Sequence, residues 1–193
     1  MLQIYAVISV VLAFVGYVPY LRDTFTGITK PHIVSWFTWA LVSFIAFGLQ
    51  LSDGAGAGAF TNFSMGVICL VVGIRGLQNG TKDIKKQDLI ALGLAIISII
   101  LWLVVKQPVL SIILVVMIDL FSFVPTIIKS WEKPWQETLF TWLVGTVRHI
   151  FTIFSLANIS IITILYPLYS LIINSLFCTL LIFRRKALVK PTS

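Results

Sequence analysis

The chain has 193 residues, 59% of them hydrophobic and only 11% charged, with a mean hydropathy of +1.02, whereas soluble domains carry about 25% charged residues. A helix needs about 20 apolar residues to cross the hydrocarbon core, so seven crossings take roughly 140 residues, leave about 50 for loops and tails, and exclude a folded soluble domain and with it most enzyme classes. The net charge of +7 falls between hydrophobic runs, where it orients helices in a bilayer rather than gripping nucleic acid.

In chain order, apolar runs bounded by charges, glycine or proline predict spans over Leu2 to Leu21, His32 to Leu51, Ala59 to Leu77, Leu89 to Val105, Val109 to Ile128, Thr138 to Leu156 and Ile159 to Phe183. The N-terminus has neither a basic region nor a small-residue cleavage site, so the first run is expected to stay as a span. Only Lys106, Gln107 and Pro108 join the fourth run to the fifth, and proline at such a junction stops one helix and can start the next. Cys69 and Cys178 lie inside apolar runs, and no metal-ligand or disulfide spacing is present. No cofactor and no enzymatic activity are expected.

With seven crossings, Arg22, Lys30, Arg75, Lys82, Lys85, Lys86, Lys129, Lys133, Arg184, Arg185, Lys186 and Lys190 share one side, and only Lys106 takes the other. The positive-inside bias makes the basic side cytoplasmic, with the N-terminus outside and the C-terminus inside.

The halves of the chain repeat. Val18-Pro19 closes the first predicted span and Val124-Pro125 the fifth; each precedes a basic loop, with Lys30-Pro31 in one and Lys133-Pro134 in the other. After five further residues each half reads Phe-Thr-Trp, at 37–39 and 140–142. Cys69 and Arg75 correspond more weakly to Cys178 and Arg184. The predicted organisation is a first three-helix repeat over 1–77, a cytoplasmic loop and linker helix over 78–106, a second repeat over 107–186 and a cytoplasmic tail over 187–193. A single linker helix restores the starting side, so the two repeats are parallel, an arrangement that builds secondary transporters with a site between the units.

This pattern resembles the SWEET and PQ-loop superfamily, seven-helix proteins built as three plus one plus three, and the resemblance covers essentially the whole chain. Pro19 and Pro125 stand where PQ-loop proteins carry a Pro-Gln pair, although Tyr20 and Thr126 replace the glutamine and the second and sixth spans lack an internal proline. The resemblance implies an all-α membrane transporter of a small polar solute, working by alternating access. Pro19 and Pro125 each remove one backbone hydrogen bond and are expected to bend their helices, either as hinges of an inner gate or simply to shape the helix exit. It leaves the substrate open among sugars, amino acids and nucleoside-like solutes. The nicotinamide riboside transporters and the KDEL receptor look alike in fold, and the latter supplies the alternative of a receptor or interaction protein without flux.

Asp119 falls near the middle of the fifth span, and Arg148 and His149 near the middle of the sixth. Counting 1.5 Å per residue places Asp119 about 16 Å and Arg148 about 12 Å from the outer ends of their helices, and side chains lean toward the helix N-terminus, so the two are expected to converge. Two readings follow: a buried ion pair that locks spans five and six, or a site at which Asp119 and His149 exchange protons during transport, His149 titrating closest to neutrality. The equivalent positions of the first repeat, Ala13, Ile45 and Ala46, carry no charge. Trp39 and Trp142 recur at one register and are expected to wall a central cavity, with Asn174 and, as an imperfect counterpart, Asn62 as polar contacts. Trp36, Trp131 and Trp135 are assigned to the interfacial aromatic belt.

Overall fold

The computed structural model describes residues 1–80 and 86–188. Lys82, Lys85 and Lys190, three of the residues behind the charge bias, lie outside that range, as do parts of the predicted linker loop and tail. Among the described residues the chain is all-helical, with α1 (Leu2–Phe25), α2 (Ile33–Ser52), α3 (Phe60–Asn79), α4 (Lys86–Leu103), α5 (Pro108–Glu132), α6 (Leu139–Phe154) and α7 (Ile161–Ala187), and with short 3₁₀ turns at Gly56–Ala59 and Pro134–Gln136. Five segments, α1, α2, α3 with its leading turn, α5 and α7, are long and apolar enough to cross a membrane, while the apolar parts of α4 and α6 are shorter.

Residue chemistry accounts for the helix ends. The His32 imidazole accepts from the Ser35 backbone N–H at the start of α2, Pro108 stands at the first turn of α5 where its missing N–H costs nothing, and Ser160 and Thr163 form a reciprocal capping box on α7. Pro19 and Pro125 do not end their helices as expected. Both lie inside them, α1 running on to Phe25 and α5 to Glu132. A proline removes one donor and pushes on the carbonyl four residues back, but the chain resumes helical bonding beyond it. Termination of α1 falls instead to Gly27, whose φ of 77° is a conformation open to glycine.

The packing is inverted relative to a water-soluble bundle. Val7, Val11, Phe14, Val15 and Val18 of α1 are exposed, whereas Ser9, Asp23 and Thr24 of the same helix are buried. Such a surface suits a hydrocarbon solvent, where polar groups must be satisfied within the protein. Helix α3 packs on both α1 and α2, and α7 on both α5 and α6; α1 also packs on α6, α2 on α5, and α4 covers α5 and α2.

Hydroxyls in the first turns of α6 and α2 join the helices. Thr141 of α6 donates to the Gly16 carbonyl of α1 at 2.8 Å, and Ser35 of α2 donates to the Ser122 carbonyl of α5, also at 2.8 Å. Each acceptor lies three residues before a helix proline, where the backbone ladder is loosened. Ser9 and Thr152 add a hydroxyl pair at 2.7 Å between α1 and α6.

Close approach of α1 and α6 depends on the missing side chain at Gly16, since a Cβ there would lie 2.7 Å from Val144 Cγ1. Gly16→Val should therefore destabilise the protein by about 1–3 kcal/mol, the usual cost of overpacking, and Val144→Ala in the same chain should recover most of it. Thermal unfolding of the detergent-purified variants measures both.

Candidate functional site

A cavity lies between the helices, lined by Tyr17, Trp39, Ser43, Met65, Cys69, Asp119, Phe123, Trp142, Gly145, Arg148, His149, Tyr166, Ser170, Ile173 and Asn174. Every α-helix except α4 contributes to the lining.

One wall is aromatic. The Trp39 and Trp142 rings meet edge to face with centroids 6.2 Å apart, and Phe123 touches both, at 5.5 and 5.3 Å. Phe177 closes on Trp142 at 4.7 Å. On the other side Trp36 stands 5.1 Å from Trp39 and 5.0 Å from Tyr20. Edge-to-face pairs of this kind add about 0.5–1.5 kcal/mol each beyond burial, so the cluster is a firm wall. Trp36 is only 2% exposed, which corrects its assignment to the interfacial belt. It follows Ile33 by three residues and precedes Trp39 by three, on the face of α2 that turns inward.

The charged groups are arranged differently from the expected pair. Asp119 is bonded by two tyrosines of α7: the Tyr166 hydroxyl donates to one carboxylate oxygen and the Tyr169 hydroxyl to the other, both at 2.9 Å. Arg148 donates to the Thr61 carbonyl at 3.3 Å and to His149 Nε2 at 3.1 Å. Among the described residues no ion pair joins Asp119 to Arg148, although both line the same cavity. Counting along the helices puts the two at similar depth, but α7 supplies the donors to Asp119. Trp39 Nε1, Arg148 Nε and His149 Nδ1, all on cavity-lining residues, are buried without a hydrogen-bond partner.

Of the polar residues expected here, Asn174 lines the cavity while donating to the Ser170 carbonyl at 2.7 Å. Asn62 does not line it. Its amide donates to Gln50 Oε1 at 2.7 Å, because the α2–α3 turn brings these two residues face to face, and Gln50 in turn donates to the Thr163 carbonyl at 2.7 Å.

Both ends of the bundle carry polar ties between segments distant in sequence. At the end holding the basic loops, Thr138 donates to Asp23 at 2.8 Å and pairs with the Thr29 hydroxyl at 2.9 Å. Lys129 donates to the Lys30 carbonyl at 2.9 Å and forms an ion pair with Glu137. Glu137 is 2% exposed; its other oxygen accepts from the Trp142 indole N–H at 3.1 Å, and its backbone carbonyl accepts from Arg185. At the opposite end Asn158 donates to the Asp53 carbonyl at 2.8 Å, Ser160 donates to the Asp53 carboxylate, and the Ala157 N–H donates to the Ala55 carbonyl at 3.1 Å.

Sequence reasoning missed Glu137, Tyr166, Tyr169 and Gln50. Two signals pointed to some of them. The tyrosines are spaced three apart on one helix, which puts them on one face, and Glu137 is one of only seven acidic residues in the chain. Comparison with known proteins finds no matching family model, no matching curated protein and no matching solved structure.

The Lys129–Glu137 pair makes a direct prediction. Glu137→Gln leaves a largely buried ammonium without its countercharge and should cost about 3 kcal/mol of stability. The exposed Glu132→Gln should cost nothing measurable. Thermal unfolding separates the two, and a shift in tryptophan emission confined to the first variant would report the loss of the Trp142 bond.

Proposed function

We propose that this protein is a multi-pass membrane transporter of small polar solutes, of the SWEET and PQ-loop type, working by alternating access. In this reading all seven helices cross the bilayer, α1 to α3 and α5 to α7 form two parallel repeats joined by α4, and the basic end is cytoplasmic with the N-terminus outside. The observation that carries the reading is the cavity itself, which takes lining from both helix groups, has Trp39 and Trp142 in contact on its wall, and is bounded at each end by polar ties. The packing supports it too. Exchanging α1, α2 and α3 for α5, α6 and α7 carries each of the pairings α1–α3, α2–α3 and α1–α6 onto another observed pairing. The same exchange relates the carbonyls of Gly16 and Ser122, each three residues before its proline and each bonded by a hydroxyl of the other group.

In the proposed cycle the two sets of end ties break in turn. Opening the basic end separates Thr138 from Asp23 and Thr29, and Lys129 from Lys30. Opening the other end separates Asn158 and Ser160 from Asp53. Pro19 and Pro125 lie between the bonded carbonyls of Gly16 and Ser122 and the ends of α1 and α5 at the basic side, so helix α1 or α5 can bend there while the hydroxyl bonds to Gly16 and Ser122 hold. Ties of this type are individually worth about 0.5–1.5 kcal/mol, small enough for solute binding to offset. Asp119 and His149 are the groups through which proton coupling would run.

Two experiments test this. In proteoliposomes, uptake of sugars, amino acids and nucleosides, each with and without a pH gradient, should reveal saturable flux for at least one class; no flux for any would favour the receptor alternative. In a chain with Cys69 and Cys178 replaced, paired cysteines at Thr29 and Thr138, or at Asp53 and Asn158, should lower flux at least about ten-fold on oxidation and recover with reductant. Full flux under either lock would overturn alternating access.

A further inference from the structure

The cavity holds two buried side chains of opposite charge that do not meet. Asp119 is 7% exposed and Arg148 2%. Among the described residues Asp119 is held only by the neutral hydroxyls of Tyr166 and Tyr169, and Arg148 only by the neutral acceptors Thr61 carbonyl and His149 Nε2. A charge removed from water is poorly compensated by neutral partners, and here that cost is borne twice in one cavity.

The idle hydrogen-bonding capacity has a matching polarity. For His149 Nε2 to accept from Arg148, the ring proton must sit on Nδ1, and both Nδ1 of His149 and Nε of Arg148 are without partners. The arginine side therefore offers two unused N–H donors beside a positive charge. On the other side, each carboxylate oxygen can accept two bonds and the tyrosines take one apiece, so each oxygen retains acceptor capacity. Phe123, four residues along α5 from Asp119, carries the aromatic cluster on the same helix face, where ring faces attract a cation.

The charges decide among solute classes. A lone anion satisfies Arg148 and leaves Asp119 uncompensated, a lone cation does the reverse, and an uncharged sugar compensates neither. Taking the cavity as the solute site of the proposed transporter, we infer that its ligand is a small zwitterion carrying a carboxylate and an ammonium. The carboxylate is taken by Arg148 and His149, the ammonium by Asp119, and the body of the molecule lies against Trp39, Trp142 and Phe123.

The test measures binding to the full chain in lipid nanodiscs by calorimetry. Probes are glycine, β-alanine, 4-aminobutyrate, leucine and phenylalanine, with butylamine, butyrate and glucose as charge-deleted controls. At least one zwitterion should bind about ten-fold or more tightly than every control. The glycine, β-alanine and 4-aminobutyrate series should show an optimum set by the spacing of the two charges. Asp119→Asn and Arg148→Gln should each weaken the best zwitterion at least about ten-fold. Where Arg148→Gln does not fold, the charge-deletion series on the unsubstituted chain decides alone. A control binding as tightly as the best zwitterion, no zwitterion binding at all, or undiminished binding to folded Asp119→Asn would overturn the inference. Zwitterion binding without uptake would keep it and overturn transport, while uptake of an uncharged solute without zwitterion binding would do the opposite.

Discussion

Polar groups withdrawn from water have to find their partners inside the protein, and that constraint organises this molecule. Its outer faces are largely valine, leucine, isoleucine and phenylalanine, so serine, threonine, glutamine and charged residues turned inward look for partners within the protein, some on their own helix, as Thr24 and Ser64 do, and others on a neighbouring one. The hydroxyls of Thr141 and Ser35 meet the carbonyls of Gly16 and Ser122, Ser9 meets Thr152, and Gln50 bridges Asn62 to the Thr163 carbonyl. These bonds act beside a contiguous buried cluster of apolar and aromatic side chains to which all seven helices contribute. In hydrocarbon there is no hydrophobic gain from pressing leucine on leucine, so association rests on close contact and hydrogen bonds. Gly16 supplies the close contact and the hydroxyls supply the bonds.

Against that background the exceptions carry information. Trp39 Nε1, Arg148 Nε and His149 Nδ1 are buried and unpartnered, and all three belong to residues that line one cavity. Arg75 Nε, Ser122 Oγ and Ser130 Oγ are also buried without partners, but singly, whereas three idle N–H donors gathered around one cavity amount to binding capacity held in one place. Tyr166 and Tyr169 contribute to the same end: by occupying one lone pair on each oxygen of Asp119 they hold the carboxylate in position without neutralising it. Arg148 is kept from collapsing onto Asp119 because each is already directed elsewhere, one toward Thr61 and His149 and the other toward α7.

The apolar runs and the helix order were legible in the sequence because each depends on local composition and on counting. The direction in which a side chain points around its helix was not. Asp119 and Arg148 illustrate the difference: their expected depths follow from 1.5 Å per residue, but whether they meet depends on the rotation of α5 and α6 and on the donors α7 presents to Asp119. Pro19 and Pro125 were visible as a matched pair, yet their effect was overestimated, since a proline deletes one helix bond and neighbouring hydroxyls support the rest. Trp39, Trp142 and Asn174 were legible as cavity residues, the tryptophans through recurrence at a fixed register. Asn62 failed because Gln50, twelve residues earlier in sequence, folds back across the α2–α3 turn to claim it. Glu137 failed for a related reason: in a loop it reads as a solvated acid, and only the fold brings Lys129 and Trp142 to it.

That carboxylate ties the cavity to the end of the bundle. One oxygen of Glu137 accepts from Trp142, which faces the cavity, and the other pairs with Lys129, which also holds the Lys30 carbonyl across the basic end. The two oxygens belong to one rigid group, so in the proposed cycle a solute that turns the Trp142 indole also moves the partner of Lys129. In a poorly polar interior a carboxylate cannot lose a donor without a substantial penalty, and the inexpensive response is for the neighbouring bonds to rearrange together. Occupancy of the cavity and closure of the basic end are then two readings of the same hydrogen-bond chain, running from an aromatic wall through one acid to a loop on the other half of the molecule. Among the described residues Asp53, which makes the ties at the opposite end, bonds Asn158 and Ser160 and no cavity-lining side chain, so in the proposed cycle the coupling belongs to one end of the bundle.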